Sequence, residues 1–284
     1  MTLTAERPLV PTVTTDPAPG RLRERWHNVV VLTRRNLVHV ARDPMQLSDV
    51  TIQPVLFTLL FIYIFGAGIP IGGGTYVDFA LAGLLTLNLT TSTVGTAVGI
   101  CTDLTTGVID RFRTLPMWRA AILIGRSFSD VLAATVCVTI VAVTGLAIGW
   151  RPTTSVLSVL GGFGIALLFS YSLSWASACM GLISKGAESA QSFGFILLFP
   201  LAFVSNAMVP TTHMPTWLQY VADWNPVSAV TSACRTLFGN PNPSSRVEVW
   251  PMQHPVVASL IWCGVLLAVF APLAVHLFRT RTTE

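Results

Sequence analysis

The residues best suited to recognition form one run, Asp110-Arg111-Phe112-Arg113-Thr114-Leu115-Pro116-Met117-Trp118-Arg119. On a short helix Phe112, Leu115 and Trp118, three apart, share one face and make an apolar stripe between charges. Such a stripe docks into a partner's groove. A loop obeying the positive-inside rule would account for the arginines, but not for Asp110 or for the stripe. This is docking chemistry rather than bond-making chemistry. The groups needed to make or break bonds are missing or scattered. The single lysine, Lys185, lies in Gly181-Leu182-Ile183-Ser184-Lys185-Gly186. It fails the G-x-x-x-x-G-K-[ST] pattern on both flanks, so no local segment can cradle nucleotide phosphates. There is no H-E-x-x-H, no G-x-S-x-G and no D-x-x-D cluster. His213 and His254 stand alone, and the five cysteines show no C-x-x-C spacing. The pattern points to small buried thiols, with neither a metal site nor a disulfide framework. No enzyme activity is expected of this chain.

Two further groups could touch a passing molecule. One is the hydroxyl-rich series from Asn88 through Thr90, Thr91, Ser92, Thr93 and Thr96; the other is the aromatic series Phe193, Phe195, Phe199, Phe203 with Asn206. Asn88, Thr91, Phe199, Phe203 and Asn206 are the candidates for a substrate pathway. The competing readings are structural. Hydroxyls on a helix commonly bond back to their own carbonyls, and the phenyl rings serve equally well at a dimer interface or against lipid. Proton coupling would need an acid or histidine deep in a span, where an aspartate costs about 2.5–3.5 kcal/mol on the insertion scale. Asp78, Asp103 and Asp130 all fall at span ends, and Asp130 is expected to favour a helix N-terminus.

The elements that must carry these residues follow from composition. Hydrophobic residues make up 52% of the 284 and charged ones 11%, against about 25% charged in a soluble domain. Too few charges remain to coat a globule, so the chain is read as an integral membrane protein. About 20 apolar residues cross the hydrocarbon as a helix. Six windows qualify: 50–77, 79–102, 131–150, 152–184, 189–222 and 256–278. None alternates like a strand, and lipid permits only helices or closed barrels. The expected fold is all-α with six transmembrane helices near 52–70, 79–101, 124–148, 156–182, 192–209 and 257–278. Gly95/Gly99 and Gly145/Gly149 hint at close helix packing.

Six spans put fourteen of the seventeen basic residues on one side, leaving Arg151, Arg235 and Arg246 on the other. Both termini are therefore expected in the cytoplasm. The net charge of +4 reflects this arginine set and calls for no nucleic acid. Sixteen arginines to one lysine suggest a GC-rich bacterial genome. Residues 1–20, rich in Pro and Thr, are expected to be a disordered cytoplasmic tail without a signal-peptide core. Residues 21–45 form an amphipathic interfacial helix, with Leu22, Trp26, Val30, Leu37 and Ala41 opposite a basic face. Asp43-Pro44 is expected to stop it. The 46–282 segment is then one six-span domain. Its segment 210–255 is too proline-broken to cross again, but Trp217-Leu218-x-x-Val221 and Val227-x-x-Val230 predict short helices there.

The Asp-Arg-Phe-Arg-Thr-Leu-Pro-x-Trp-Arg run resembles the cytoplasmic loop of type-2 ABC exporter permeases, nearest the daunorubicin/doxorubicin resistance subgroup. A second patch agrees: Leu198-Phe199-Pro200-Leu201-Ala202-Phe203-Val204-Ser205-Asn206, then Met214-Pro215-x-Trp217 and Asn225-Pro226-Val227-Ser228, with Arg235 following. The resemblance covers roughly residues 21–282. One departure is Thr105-Thr106-Gly107, where the family commonly carries an acid before the glycine.

The resemblance implies an N-in/C-in permease with short re-entrant helices on the external side between spans five and six. It implies a separate ABC ATPase in two copies, which holds ATP and Mg; this chain binds no cofactor. It further implies a second permease chain, the same or a sister. The lipid bilayer and a hydrophobic or amphiphilic cargo (drug, antibiotic or lipid) complete the partners. Asp110, Arg111, Phe112, Arg113, Leu115, Pro116, Trp118 and Arg119 would be the ATPase-coupling loop, aided by the amphipathic helix. Export by alternating access across the bacterial plasma membrane would follow. The alternatives are a proton-coupled secondary transporter and a non-catalytic membrane assembly protein.

Overall fold

The computed structural model describes residues 30, 31, 33, 42, 44–66, 75–107, 120–211, 214–242 and 249–281. The 1–20 tail, most of the 21–45 segment and the whole 110–119 run lie outside the described residues. Every regular element among the described residues is a helix: α1 (Pro44–Phe65), α2 (Tyr76–Ser92), α3 (Val94–Thr105), α4 (Ala120–Ile148), α5 (Val156–Ile183), α6 (Ala187–Phe203), α7 (Thr216–Asp223), α8 (Pro226–Phe238), α9 (Trp250–Gln253) and α10 (Pro255–Arg281).

Polar caps start several of these apolar helices. Thr75 accepts the Asp78 N–H and donates its hydroxyl to the Asp78 carboxylate at 2.6 Å. This reciprocal cap also places an acid in the first turn, where the helix dipole favours it. Ser155 caps α5 by accepting the Ser158 N–H. Asn225 caps α8 by accepting the Val227 N–H, with Pro226 in the first turn, where its missing donor is harmless. Gly239, at φ 73°, turns the chain out of α8.

Among the described residues, five helical segments are long and apolar enough to cross a membrane: Leu47–Phe65, Tyr76–Thr105, Ile124–Ile148, Val156–Ile183 and Pro255–Phe278. Four coincide with the expected spans at 79–101, 124–148, 156–182 and 257–278. The first differs. It occupies Leu47–Phe65 rather than 52–70, because Pro44 opens α1 and Gly66 ends it, its N–H on the Ile62 carbonyl at 3.0 Å. The fifth differs more. Instead of 192–209, α6 runs Ala187–Phe203, 17 residues, and residues 204–209 bend. It starts early because Ser189 bonds back to the Gly186 N–H and carbonyl. It stops early because later side chains capture its backbone, as described below.

The Tyr76–Thr105 span is the centre of the bundle. Its apolar window is 72% buried, against 17% for Leu47–Phe65 and Pro255–Phe278, which turn apolar faces outward. It is broken at Thr93 into α2 and α3. There the Thr96 N–H reaches the Thr93 carbonyl at 3.0 Å, and the Thr90, Thr91, Ser92 and Thr93 hydroxyls bond to backbone carbonyls of their own helix. Such back-bonding competes with the helical ladder and bends it.

Around this span, α5 packs on α10, α3 and α8, while α4 packs on α1 and α2. All five cysteines are buried thiols. Two glycines let backbones touch: a Cβ at Gly83 would lie 1.7 Å from the Ala207 carbonyl oxygen, and one at Gly181 2.3 Å from that of Ala97. Overpacking a tight interior costs about 1–3 kcal/mol, more where backbone must move. Gly83→Val is therefore expected to lower the melting temperature of the detergent-purified protein. Gly164→Val, where a Cβ meets nothing within 4 Å, should leave it unchanged.

Candidate transport site

The eight residues of the proposed coupling loop lie between α3 and α4, outside the described residues. Only their flanks are described. α3 ends at Thr105, Gly107 turns at φ 67°, and α4 begins at Ala120.

The pathway candidates separate into two groups. Asn88 is buried and donates Nδ2–H to the Leu84 carbonyl of its own helix at 2.8 Å. Thr91 is half-buried and donates to the Leu87 and Asn88 carbonyls. Phe199 and Phe203 stand 47% and 42% exposed on α6 and stack on each other, ring centroids 4.1 Å apart. Phe193, Phe195, Ile196 and Leu197 are exposed on the same helix. Asn206 is separate from them, buried in the bend after α6. Thus α6 offers a stacked aromatic face, whereas Asn88 and Asn206 serve the interior.

What surrounds Asn206 is a polar cap built on α8. Arg235 is fully buried. Its Nε–H donates to the Phe79 carbonyl at 3.0 Å, and its Nη2 donates to the Asn206 and Ala207 carbonyls, each at 3.0 Å. The guanidinium also lies over the Phe79 ring, 3.7 Å from its centroid. Carbonyl dipoles and a π face thus replace a counter-ion.

Other side chains extend the cap. The Asn206 N–H donates to Ser228 Oγ and its Nδ2–H to Ser232 Oγ. Asn225 Nδ2–H donates to the Leu201 and Val204 carbonyls. Asn240 donates to the Asp78 carbonyl at 2.7 Å and accepts the Trp150 indole N–H. One end of the bundle, from the start of α2 to the α4–α5 turn, is thereby tied to α8.

A second polar network joins α3 to α4. Asp130 does not begin a helix: α4 starts at Ala120, and the carboxylate lies inside the Ile124–Ile148 span. It accepts the Thr96 hydroxyl at 2.9 Å and faces Arg126 Nε at 3.5 Å, while Arg126 Nη1 lies 3.8 Å from Asp103. The only sequence signal was the Arg126–Asp130 spacing of four. Arg235, by charge alone an external basic residue, carries no sequence signal of its burial. Among the described residues no group of three or more His, Cys, Asp or Glu could hold a metal ion.

The described residues are helical, with several helices long and apolar enough to cross a membrane, which defines a multi-pass membrane protein. The chain belongs to the ABC-2 type transporter family, which matches residues 27–238. It is 34% identical over 241 residues to a daunorubicin resistance ABC transporter permease protein of Streptomyces coeruleorubidus, covering 85% of this chain and 82% of that one. It is 24% identical over 264 residues to the probable doxorubicin resistance ABC transporter permease protein of Mycobacterium tuberculosis, covering 88% of each. Nodulation protein J of Azorhizobium caulinodans is 26% identical over 197 residues, 66% of this chain and 75% of its own. The chain is thus a type-2 ABC permease of the daunorubicin/doxorubicin resistance subgroup, a family whose permeases work with a separate ATPase subunit.

Arg235→Leu would leave three buried carbonyls without their donor, each at about 1–3 kcal/mol. It is expected to lower the melting temperature sharply, and Arg235→Lys to recover little, since one ammonium lacks the fork that reaches Phe79, Asn206 and Ala207 together. Thermal melts of the purified variants measure both.

Proposed function

We propose that this chain is the transmembrane permease of an ATP-driven exporter that carries a hydrophobic or amphiphilic compound out across a bacterial plasma membrane. Two relatives named for daunorubicin and doxorubicin resistance support that cargo class. The observation that carries the reading is the membership of this family by a chain whose only lysine has no phosphate-binding loop around it.

In this reading α6 is a sixth crossing. Its 17 residues at about 1.5 Å each span about 25 Å, and the bent residues after it complete the passage. Six crossings put both termini in the cytoplasm, with residues 110–119 beside them and the Arg235 cap at the outer face, where α7 and α8 re-enter the membrane. Two ATPase subunits bind ATP and Mg. Their closure pushes Asp110, Arg111, Phe112, Arg113, Leu115, Pro116, Trp118 and Arg119, together with the 21–45 segment. A pair of permease chains, identical or sister, alternates access between them. Cargo reaches the pair from the inner leaflet and passes the Phe199–Phe203 face.

A proton-driven carrier would instead need a carboxylate free to change charge within a span. Asp130 is inside one, but Thr96 and Arg126 engage it. Charge reversal by Arg111→Glu with Arg113→Glu is expected to abolish co-purification of the ATPase while membrane insertion stays intact. Unchanged co-purification would remove the docking role.

A further inference from the structure

We propose that Arg126 is a positioning residue: a releasable clasp between α3 and α4 that decides whether the two helices move together. The proposal deepens the ATP-coupled reading and rests on it, because the docking segment joins these same two helices.

The contrast between the two sides of α3 carries the argument. Toward α5 and α6 its packing is intimate. Gly181 of α5 meets the Ala97 carbonyl, Gly194 of α6 receives the Val94 side chain, and the Cys101 thiol points at the Ser184 carbonyl, 3.6 Å away. Toward α4 the backbones stand apart, and α4 packs instead on α1, α2 and the α5 helix. Polar side chains bridge this gap. Arg126 Nη2 donates to the Gly95 carbonyl at 3.2 Å, and its Nη1 lies 3.8 Å from Asp103 in the last turn of α3. The return link is Thr96 to Asp130 at 2.9 Å.

The guanidinium therefore sits between two carboxylates of different kinds. Asp103 is on the other helix, whereas Asp130 is on its own, one turn away, with Nε and Oδ1 3.5 Å apart. Neither distance is that of a tight charged hydrogen bond, about 2.7–2.9 Å. Leaning toward Asp103 and Gly95 ties α3 to α4; leaning toward Asp130 leaves the Thr96 hydroxyl as the remaining polar link between them. The side chains keep 20–24% of their surface exposed and Arg126 Nε has no hydrogen-bond partner, so an exchange of partners is cheap compared with parting α3 from α5. Gly99 makes the slot: a Cβ there would lie 1.9 Å from Arg126 Nη2. Thr93 marks a joint between α2 and α3, and α3 packs on α5 and α6, so α3 can shift with them. A charge with two discrete partners next to a jointed helix is a bistable element.

The test uses the chain purified with its ATPase in lipid nanodiscs. Spin labels are placed through Thr102→Cys on α3 and Leu132→Cys on α4, both exposed positions, the native thiols being buried. Their separation is read by pulsed electron resonance without nucleotide and after trapping with ATP and vanadate. The proposal expects a shift between the two states that Arg126→Gln abolishes, that Arg126→Lys retains in part, and that Gly99→Ala abolishes without removing any charge. The melting temperature should stay near the parent's in each variant. A shift of full size in both Arg126→Gln and Gly99→Ala overturns the clasp. So does a parent complex that binds ATPase and nucleotide without any shift at this pair. If no ATPase co-purifies with the parent chain, the ATP-coupled reading itself falls, an outcome distinct from both.

Discussion

Inside hydrocarbon a peptide group has no water to turn to, so every N–H and C=O must find its partner in the protein. Most of this chain meets that demand with unbroken helix. The demand becomes acute where α6 ends at Phe203 and the backbone bends. There the guanidinium of Arg235 takes the Asn206 and Ala207 carbonyls together with that of Phe79. Asn225 takes those of Leu201 and Val204, and Ser228 accepts the Asn206 N–H. A buried cation without a carboxylate would be costly alone. Here it is solvated by the very carbonyls that would otherwise be orphaned, so each group removes the other's penalty.

That exchange shapes the rest of the bundle. With the bend fixed, Ala207 can lie directly on Gly83, and α2 is held in the middle. Below the break at Thr93, α3 leans on α5 and α6 and reaches α4 only through side chains. One end of the bundle is thus cross-tied through Arg235, Asn225 and Asn240, while α3 and α4 are joined through Arg126, Asp103, Asp130 and Thr96.

Much of the bundle was legible in residue order, because long runs of Leu, Ile, Val, Ala and Phe admit one structure in lipid. The 79–101, 124–148, 156–182 and 257–278 spans needed nothing more. The failures share a cause. Val204 to Met208 is apolar enough to continue a helix, but its backbone is claimed by Asn225, Ser228 and Arg235, which lie 20 or more residues later. Asp130 looked like a span-end acid, since its partner Thr96 lies 34 positions earlier. Pairings at such separations leave no periodic trace. The expectation of a docking role for residues 110–119, by contrast, rests on stripe spacing and on resemblance, and those residues lie outside the described ones.

The central claim is that this subunit moves cargo only when a separate ATPase drives it. The most direct measurement compares vesicles holding the chain alone with vesicles holding it together with its ATPase, following daunorubicin uptake and phosphate release. The account predicts an inert lone chain under ATP and under an imposed proton gradient, and uptake that requires ATP once the partner is present. Uptake by the lone chain under a proton gradient, or nucleotide hydrolysis without the partner, would contradict it.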